Sequence, residues 1–444
     1  MKDLSVGNER SLIFKFAVPM LLGNVFQQLY NVVDSIVVGN YIGKEALAAV
    51  GASFPIIFAL ISLIIGVATG STIIIAQYFG AKDMEKVKRA IDTLYIFLFF
   101  ASILVSALGI YFAEDIFRLI KLPEDAMPNA VKYLQIYMSG LIVFFGFNGI
   151  SAILRGLGDS KTPLVFMILS TIINIGLDLL FVIGFGWGIS GVAIATIIAQ
   201  GGAFLTGIIY LNRNHDVINL SWRKIIFDRA IFKKSIGIGL PIGLQQVIVA
   251  LSMMVMYWLV NPFGTSTTAA YSIVFRIDAF ASLPAMNFAA ALATFVGQNL
   301  GAGKPDRVRR GLKATVGMTA IIAVTVSIIS ISLAPHLVGL FTSDAEVIKI
   351  GVEYLRIVGF FYITFTTMFV IGSVMRGAGD TIVPMIITFV ALWVVRVPLC
   401  YYLSQKMGYV GIWYGIPIAW IFGMTFIYLY YLTGRWKSKA VVRA

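Results

Sequence analysis

Long apolar stretches separated by short polar segments recur along the whole chain. Twelve of them are long enough to cross a membrane as helices, because a helix needs about 20 mostly apolar residues to span the hydrocarbon core. They lie at approximately 13–38, 46–79, 91–113, 131–154, 162–184, 190–211, 235–260, 269–299, 314–333, 350–374, 382–403 and 410–433. The runs are continuous rather than alternating, which favours helices over the strands of a β-barrel. The chain is therefore predicted to be an all-α polytopic membrane protein.

Composition supports this prediction and excludes other classes. Hydrophobic residues make up 59% of the 444 residues and charged residues 12%, against about 45–50% and about 25% in soluble domains. So few charges cannot cover a soluble surface, and so apolar a chain is not disordered. The single cysteine, Cys400, and two distant histidines leave no basis for a disulfide framework, a zinc site or histidine catalysis. We expect no enzyme activity and no cofactor.

The excess of basic residues follows the predicted topology. Of the 34 Lys and Arg residues, 24 fall on the side that holds both termini and five on the opposite side. Because Lys and Arg accumulate in cytoplasmic loops, both termini are predicted to be cytoplasmic. The basic loops, which account for the net charge of +13, are then mainly topology determinants, and nucleic acid is not expected as a partner.

The two halves of the sequence repeat each other at an offset of 221 residues. The Gln–x–x–Gly–Ala segment at 77–81 recurs at 298–302, and the Arg–Gly–x–Gly–Asp segment at 155–159 recurs at 376–380. Each half holds six runs, so both have the same orientation, and a pseudo-two-fold axis along the membrane normal should relate them. The predicted domains are an N-terminal lobe (1–211), a cytoplasmic linker (212–234) and a C-terminal lobe with a short basic tail (235–444).

The repeated Arg–Gly–x–Gly–Asp segments have two interpretations. A glycine-rich turn beside a charge suggests phosphate binding, but the Gly–Lys–Ser/Thr of a phosphate-binding loop is missing. A tight cytoplasmic turn, with Pro163 or Pro384 starting the next helix, is the favoured interpretation.

Acidic residues within the runs are stronger functional indicators, because a carboxylate at membrane depth is costly. Asp34, Asp178 and Asp278 are the clear cases. Asp178 shares a helix face with Asn174, and a depth estimate places both at the level of Asp34 and Thr196. These oxygen-bearing side chains suit sodium, and paired carboxylates suit a proton. The alternative is that each Asp only bonds a neighbouring helix. Positions 221 residues later carry Val255, Val395 and Leu399, so the repeated packing does not require the polar set.

Other polar and flexible side chains are candidates for a substrate cavity. Asp34 shares its helix face with Gln27, Tyr30 and Asn31. The cavity set is Tyr30, Asn31, Tyr137, Gln245, Met253, Met256, Arg276 and Asp278. For the methionines the alternative is ordinary core packing. Arg276 and Asp278 are two apart and do not share a helix face, so for them a structural ion pair with another helix is equally open.

Together these features resemble the multidrug and toxic compound extrusion (MATE) family of bacterial type. The resemblance extends from about residue 10 to residue 435 and rests on the ordered set of motifs. These are the 6+6 repeat, the Pro19–Gln27–Asp34 series, the two Gln–x–x–Gly segments, the paired Arg–Gly–x–Gly–Asp turns and Asn174–x–x–x–Asp178.

The resemblance implies a function and a site. It implies two six-helix lobes, alternating access, and export of organic cations and other amphipathic drugs from the cell across the inner membrane, driven by Na⁺ or H⁺. The cation site would be Asp34, Asn174, Asp178 and Thr196, with Gln27 nearby, and the first helix would bend at Pro19. Glu353 lies at the very start of the tenth run, and no other acidic residue lies within the seventh or tenth run, which argues against a second cation site in the C-terminal lobe. The protein is expected to be monomeric.

Two other functions remain open at this stage. A flippase for a lipid-linked oligosaccharide belongs to the same superfamily and would share the lobes. Such proteins tend to have more basic cavities and additional spans, so twelve runs with few embedded charges favour the drug exporter. A channel or receptor fits the duplicated lobes and buried carboxylates less well.

Overall fold

The computed structural model describes residues 2–119, 122, 124–214 and 225–442, and nearly all of these residues are helical. The described residues contain no β-strand, as the continuous apolar runs predict. The helices of the first half are α1 (Glu9–Val37), α2 (Lys44–Gly80), α3 (Met84–Tyr111), α4 (Ala113–Leu119), α5 (Met127–Ser139), α6 (Leu141–Gly156), α7 (Lys161–Leu179) and α8 (Gly188–Asn214). Those of the second half are α9 (Arg229–Val260), α10 (Thr265–Gly301), α11 (Pro305–Ser332), α12 (Ala334–Gly339), α13 (Ala345–Val358), α14 (Tyr362–Ala378), α15 (Ile382–Phe389), α16 (Val397–Met407) and α17 (Tyr409–Leu432).

The sequence repeat is also a repeat of backbone structure. Helices α2 and α10 begin and end at positions 221 apart, and so do α3 and α11. In both Arg–Gly–x–Gly–Asp segments the second glycine is left-handed, with φ +81° at Gly158 and +95° at Gly379. Asp159 accepts hydrogen bonds from the backbone nitrogens of Lys161 and Thr162 at 3.0 and 3.1 Å. The geometry is that of a tight turn capped by its own aspartate.

Eleven helical segments of the described chain are long and apolar enough to cross a membrane. Helices α5 and α6 together meet the same criterion, although they join at an angle of 52°, and counting them as one span gives twelve. The predicted span at 131–154 is therefore present as two helices joined at a bend rather than as one straight helix. The break falls at Gly140, where a Cβ atom would lie only 2.3 Å from Ile197 Cγ1 of α8. The missing side chain lets the bent backbone pack closely against that helix.

The described chain forms two compact units that do not follow its linear halves. The first unit contains Leu22–Gly243 and the residues up to Asp3, and the second contains Leu4–Leu21 and Leu244–Ala444. Helices α1 and α9 therefore each contribute their first part to one unit and their second part to the other. This division differs from the boundaries at 211 and 235 that the polar linker suggested.

Glycines explain how the first part of α9 packs within the first unit. A Cβ on Gly66 would lie 2.5 Å from Gly243 N, and one on Gly239 would lie 2.4 Å from Val67 Cα. A Cβ on Gly70 would likewise lie 2.7 Å from Gly239 N. Small residues four apart on both helices let their backbones approach this closely, as they do at many membrane helix interfaces.

The second unit holds the N-terminal segment through side chains of the repeated Gln motif. Leu4 N donates to Gln298 Oε1 at 2.8 Å, and Asn299 Nδ2 donates to Leu4 O at 3.2 Å. Glu9 at the start of α1 pairs with Arg307 at 3.1 Å and with Arg310 at 2.9 Å. The Gln–x–x–Gly segment is thus a docking point for the chain terminus.

Candidate cation and substrate sites

The first unit buries two carboxyl groups against each other. Asp34 on α1 is 7% exposed, Asp178 on α7 is fully buried, and their side chains lie within hydrogen-bonding reach. The Oδ1 atom of each has no hydrogen-bond partner among the described residues. Two carboxylates in contact away from water repel strongly unless a proton or a cation lies between them.

Neutral polar groups surround this pair. With its amide nitrogen facing Asp178, Asn174 donates to Asp178 Oδ2 at 3.1 Å and accepts from Thr196 N at 3.3 Å. The Thr196 hydroxyl lies 3.0 Å from the Tyr30 hydroxyl and donates to Val192 O at 3.1 Å. The structure therefore brings together Asp34, Asn174, Asp178 and Thr196, the four residues that the depth estimate placed at one level.

Two tyrosines of α5 also approach the carboxyl pair. Tyr133 is close enough to interact electrostatically with both Asp34 and Asp178, and Tyr137 with Asp34. The cavity set contained Tyr137, but Tyr133 was missed as a site residue. A signal was available, because Tyr133 and Tyr354 are equivalent in the repeat.

Two further polar residues of α1 are exposed. They are Gln27 and Asn31, and Asn31 Nδ2 donates to Gln28 Oε1 at 3.2 Å. The place of Gln27 beside the cation site and that of Asn31 in a substrate cavity stay predictions.

The three π-helical segments of the described chain all adjoin an embedded charge. Val38–Ile42 follows Asp34, Leu180–Gly184 follows Asp178, and Val390–Arg396 ends on an arginine. A π-helical turn widens the helix, leaves its backbone hydrogen bonds less regular, and is frequent at functional sites.

In the second unit the embedded carboxylate, Asp278, is hydrogen-bonded by tyrosines rather than facing another carboxylate. Both oxygens of Asp278 on α10 accept phenolic hydrogen bonds, one from Tyr354 at 2.5 Å and one from Tyr362. Tyr354 occupies the position equivalent to Tyr133, so the same repeat position approaches an embedded aspartate in each unit. Arg276 is exposed and forms no salt bridge with Asp278.

The remaining members of the predicted cavity set differ in how deeply their side chains are buried. Gln245 Nε2 donates to Thr388 Oγ1 at 2.6 Å, and Met253 is partly exposed. Met256 is completely buried in a hydrophobic core and cannot line a cavity, so that prediction needs correction. Met256 lies on the packed side of α9, and the spacing of residues in the sequence did not show which side that is.

Comparison with known proteins identifies the family. A sequence model of the family described as MatE matches residues 19–180 and again residues 241–402. The chain belongs to the MatE family. The two matches begin 222 residues apart and reproduce the internal repeat. As a MatE member the protein is a multi-pass membrane transporter and not an enzyme.

Individual relatives are similar along almost their entire length. A probable multidrug resistance protein of Bacillus subtilis, YpnP, is 33% identical, with 98% of each chain covered. The probable multidrug resistance protein NorM of Thermotoga maritima is 27% identical over 98% of this chain and 94% of its own. A solved MATE family multidrug resistance transporter in an outward-facing conformation is 25% identical, with a TM-score of 0.92 and coverage of 100% and 99%.

Proposed function

We propose that this MatE protein is an antiporter of the plasma membrane that exports organic cations and other amphipathic drugs in exchange for Na⁺ or H⁺. Its relatives described as multidrug resistance proteins support the substrate class. The observation that carries the coupling mechanism is the buried contact between Asp34 and Asp178.

The paired carboxylates favour a cation for an electrostatic reason. Two like charges 4 Å apart at an effective dielectric constant of about 20 repel by about 4 kcal/mol. A proton shared between Asp34 and Asp178 removes this repulsion. A sodium ion removes it as well, with carboxylate oxygens as ligands, and rotation of the Asn174 amide would add a neutral oxygen.

Coupling requires that cation and drug stabilise different access states. Asp34 lies on α1 and Asp178 on α7, so binding of a cation replaces repulsion between the two helices by attraction to the shared cation. One elementary charge moving down 100 mV provides about 2.3 kcal/mol. A drug that binds the other state better is then exported as the cation moves inward.

The test is efflux of a fluorescent cationic dye from proteoliposomes under separately imposed sodium and pH gradients. We expect one gradient to drive efflux of the wild-type protein. Asp34→Asn and Asp178→Asn should abolish gradient-driven efflux while the protein remains folded, because neither amide binds a proton or pairs with a cation as a carboxylate does.

Asp92→Asn is the matched control. Asp92 is a buried carboxylate of the same unit, but it pairs with Lys88 at 2.5 Å. The Lys88 side chain is 26% exposed and can turn to solvent when its partner is lost, so this variant should retain efflux. Persistent efflux in both site variants would show that the cluster is structural. If no gradient drives efflux of several dyes, drug export fails and a lipid-linked oligosaccharide flippase becomes the leading function.

A further inference from the structure

The second unit contains an embedded guanidinium with no ion-pair partner. Arg396 is partly buried at the end of a π-helical segment between α15 and α16. No carboxylate of the described chain lies within 4.0 Å of it. Its Nε atom is buried and has no hydrogen-bond partner among the described residues. A charged group at membrane depth without a partner is a functional-site candidate.

The nearby carboxylate does not use the donors of this arginine. Asp278 lies close enough to Arg396 to interact electrostatically, but both of its oxygens are occupied by the hydroxyls of Tyr354 and Tyr362. Arg396 donates no hydrogen bond to this carboxylate or to any other described residue, so its guanidinium can bind a ligand.

An aromatic pair lies near the arginine in the packed core of the second unit. Tyr271 lies two helical turns before Asp278 on the same face of α10 and also interacts electrostatically with Arg396. Its ring stacks on Trp413, with centroids 5.7 Å apart and ring planes 9° apart. Both rings are buried, so the group that a ligand would contact is the guanidinium, which binds carboxylate and phosphate groups.

The repeat shows that packing does not require this arginine. The equivalent position in the first half is Ile175. In the first unit two buried carboxyls face each other. In the second unit Asp278 is hydrogen-bonded by two phenols, while Arg396 has no ion-pair partner among the described residues.

We propose that Arg396 binds an anionic group, a carboxylate or a phosphate, on the exported compound. The substrates would then include amphipathic anions and zwitterions in addition to cations. The proposal rests on the proposed function, because it assigns the chemistry of one substrate contact in the exporter.

The test compares two dyes that differ in one group. Rhodamine 110 carries a free carboxyl group, and rhodamine 123 is its methyl ester. Binding to the purified full-length protein in detergent is measured by fluorescence anisotropy, without any gradient. We expect Arg396→Gln to weaken rhodamine 110 binding by about tenfold or more, the range of a lost charge-assisted hydrogen bond. Rhodamine 123 binding should change by less than about twofold, and Arg396→Lys should be intermediate for the acid.

Controls separate a local contact from general effects. Arg356→Gln removes an exposed arginine of α13 and should leave both dissociation constants unchanged. Displacement of rhodamine 110 by benzoate or by phenyl phosphate shows whether a carboxylate or a phosphate is preferred. Retained binding of the ester shows that Arg396→Gln is folded.

Several results overturn the proposal. These are an equal loss of acid and ester binding, no loss in Arg396→Gln, the same loss in Arg356→Gln, or a wild-type protein that does not bind the acid. Because no gradient is used, this failure is distinct from a failure of coupled efflux.

Discussion

At the residue scale, hydrogen-bond partners distinguish structural from functional buried charges. Asp92 forms a salt bridge with Lys88, and Asp278 accepts hydrogen bonds from two tyrosine hydroxyls. Asp34 and Asp178 instead face each other, each with an oxygen that has no partner in the described chain. A buried charge without a partner destabilises the fold, so its presence indicates that a ligand completes the site.

Replacing a tyrosine by phenylalanine tests this distinction, because it removes only the hydroxyl group. Tyr354→Phe is expected to destabilise the protein by about 1–3 kcal/mol, because it leaves one oxygen of the partly buried Asp278 without a donor. The measurement is the thermal midpoint of the purified protein in detergent. Asp278→Asn introduced together with Tyr354→Phe should recover part of the loss, since an amide is neutral.

Tyr95→Phe is the control substitution. The Tyr95 hydroxyl is buried and has no hydrogen-bond partner among the described residues, so its removal should leave the midpoint unchanged or raise it. A lower midpoint in Tyr95→Phe than in Tyr354→Phe would contradict the role assigned to the Asp278 hydrogen bonds.

At the scale of elements, close backbone contact determines where helices cross. Helices α2 and α9 meet at Gly66, Gly70, Gly239 and Gly243 with no side chains between their backbones. The Gly–x–x–x–Gly spacing was visible in the sequence on both helices, but the sequence did not show that they are partners. Such an interface tolerates no added methyl group.

Gly239→Ala is therefore expected to destabilise the first unit by about 1–3 kcal/mol, the usual range for overpacking. Its Cβ would lie 2.4 Å from the Val67 backbone. Gly237→Ala, two residues earlier on α9, meets no atom within 4 Å and should be neutral. The measurement is the thermal midpoint of each purified variant. Equal midpoints for the two variants would rule out the close packing of α2 and α9.

At the scale of the whole molecule, each compact unit is completed by a segment from the other half of the sequence. The first unit needs the start of α9, up to Gly243, and the second needs Leu4–Leu21. Neither half of the chain contains all the surface that its own unit buries.

A split protein tests this exchange. Residues 1–214 and 225–444 produced alone should aggregate or show no cooperative thermal transition, because the first lacks the start of α9 and the second lacks Leu4–Leu21. Produced together, they should copurify through a tag on one half and melt cooperatively. A half that melts alone at the full-length midpoint would show that the exchanged segments are dispensable.

Sequence alone is enough to establish the membrane class, the twelve apolar runs, the repeat and the family motifs. These follow from apolar run length and residue spacing, which are local properties. It also selected Asp34, Asn174, Asp178 and Thr196, because polar groups at membrane depth are costly and their depth can be counted along a helix.

The folded structure is needed to establish which helices touch and which polar groups have hydrogen-bond partners. The bend at Gly140, the exchange of the first parts of α1 and α9, and the burial of Met256 all depend on contacts distant in sequence. The same holds for Asp278, whose two phenolic partners leave Arg396 without an ion pair. A sequence records which polar groups are present, but whether each one is neutralised depends on the neighbours that folding brings to it.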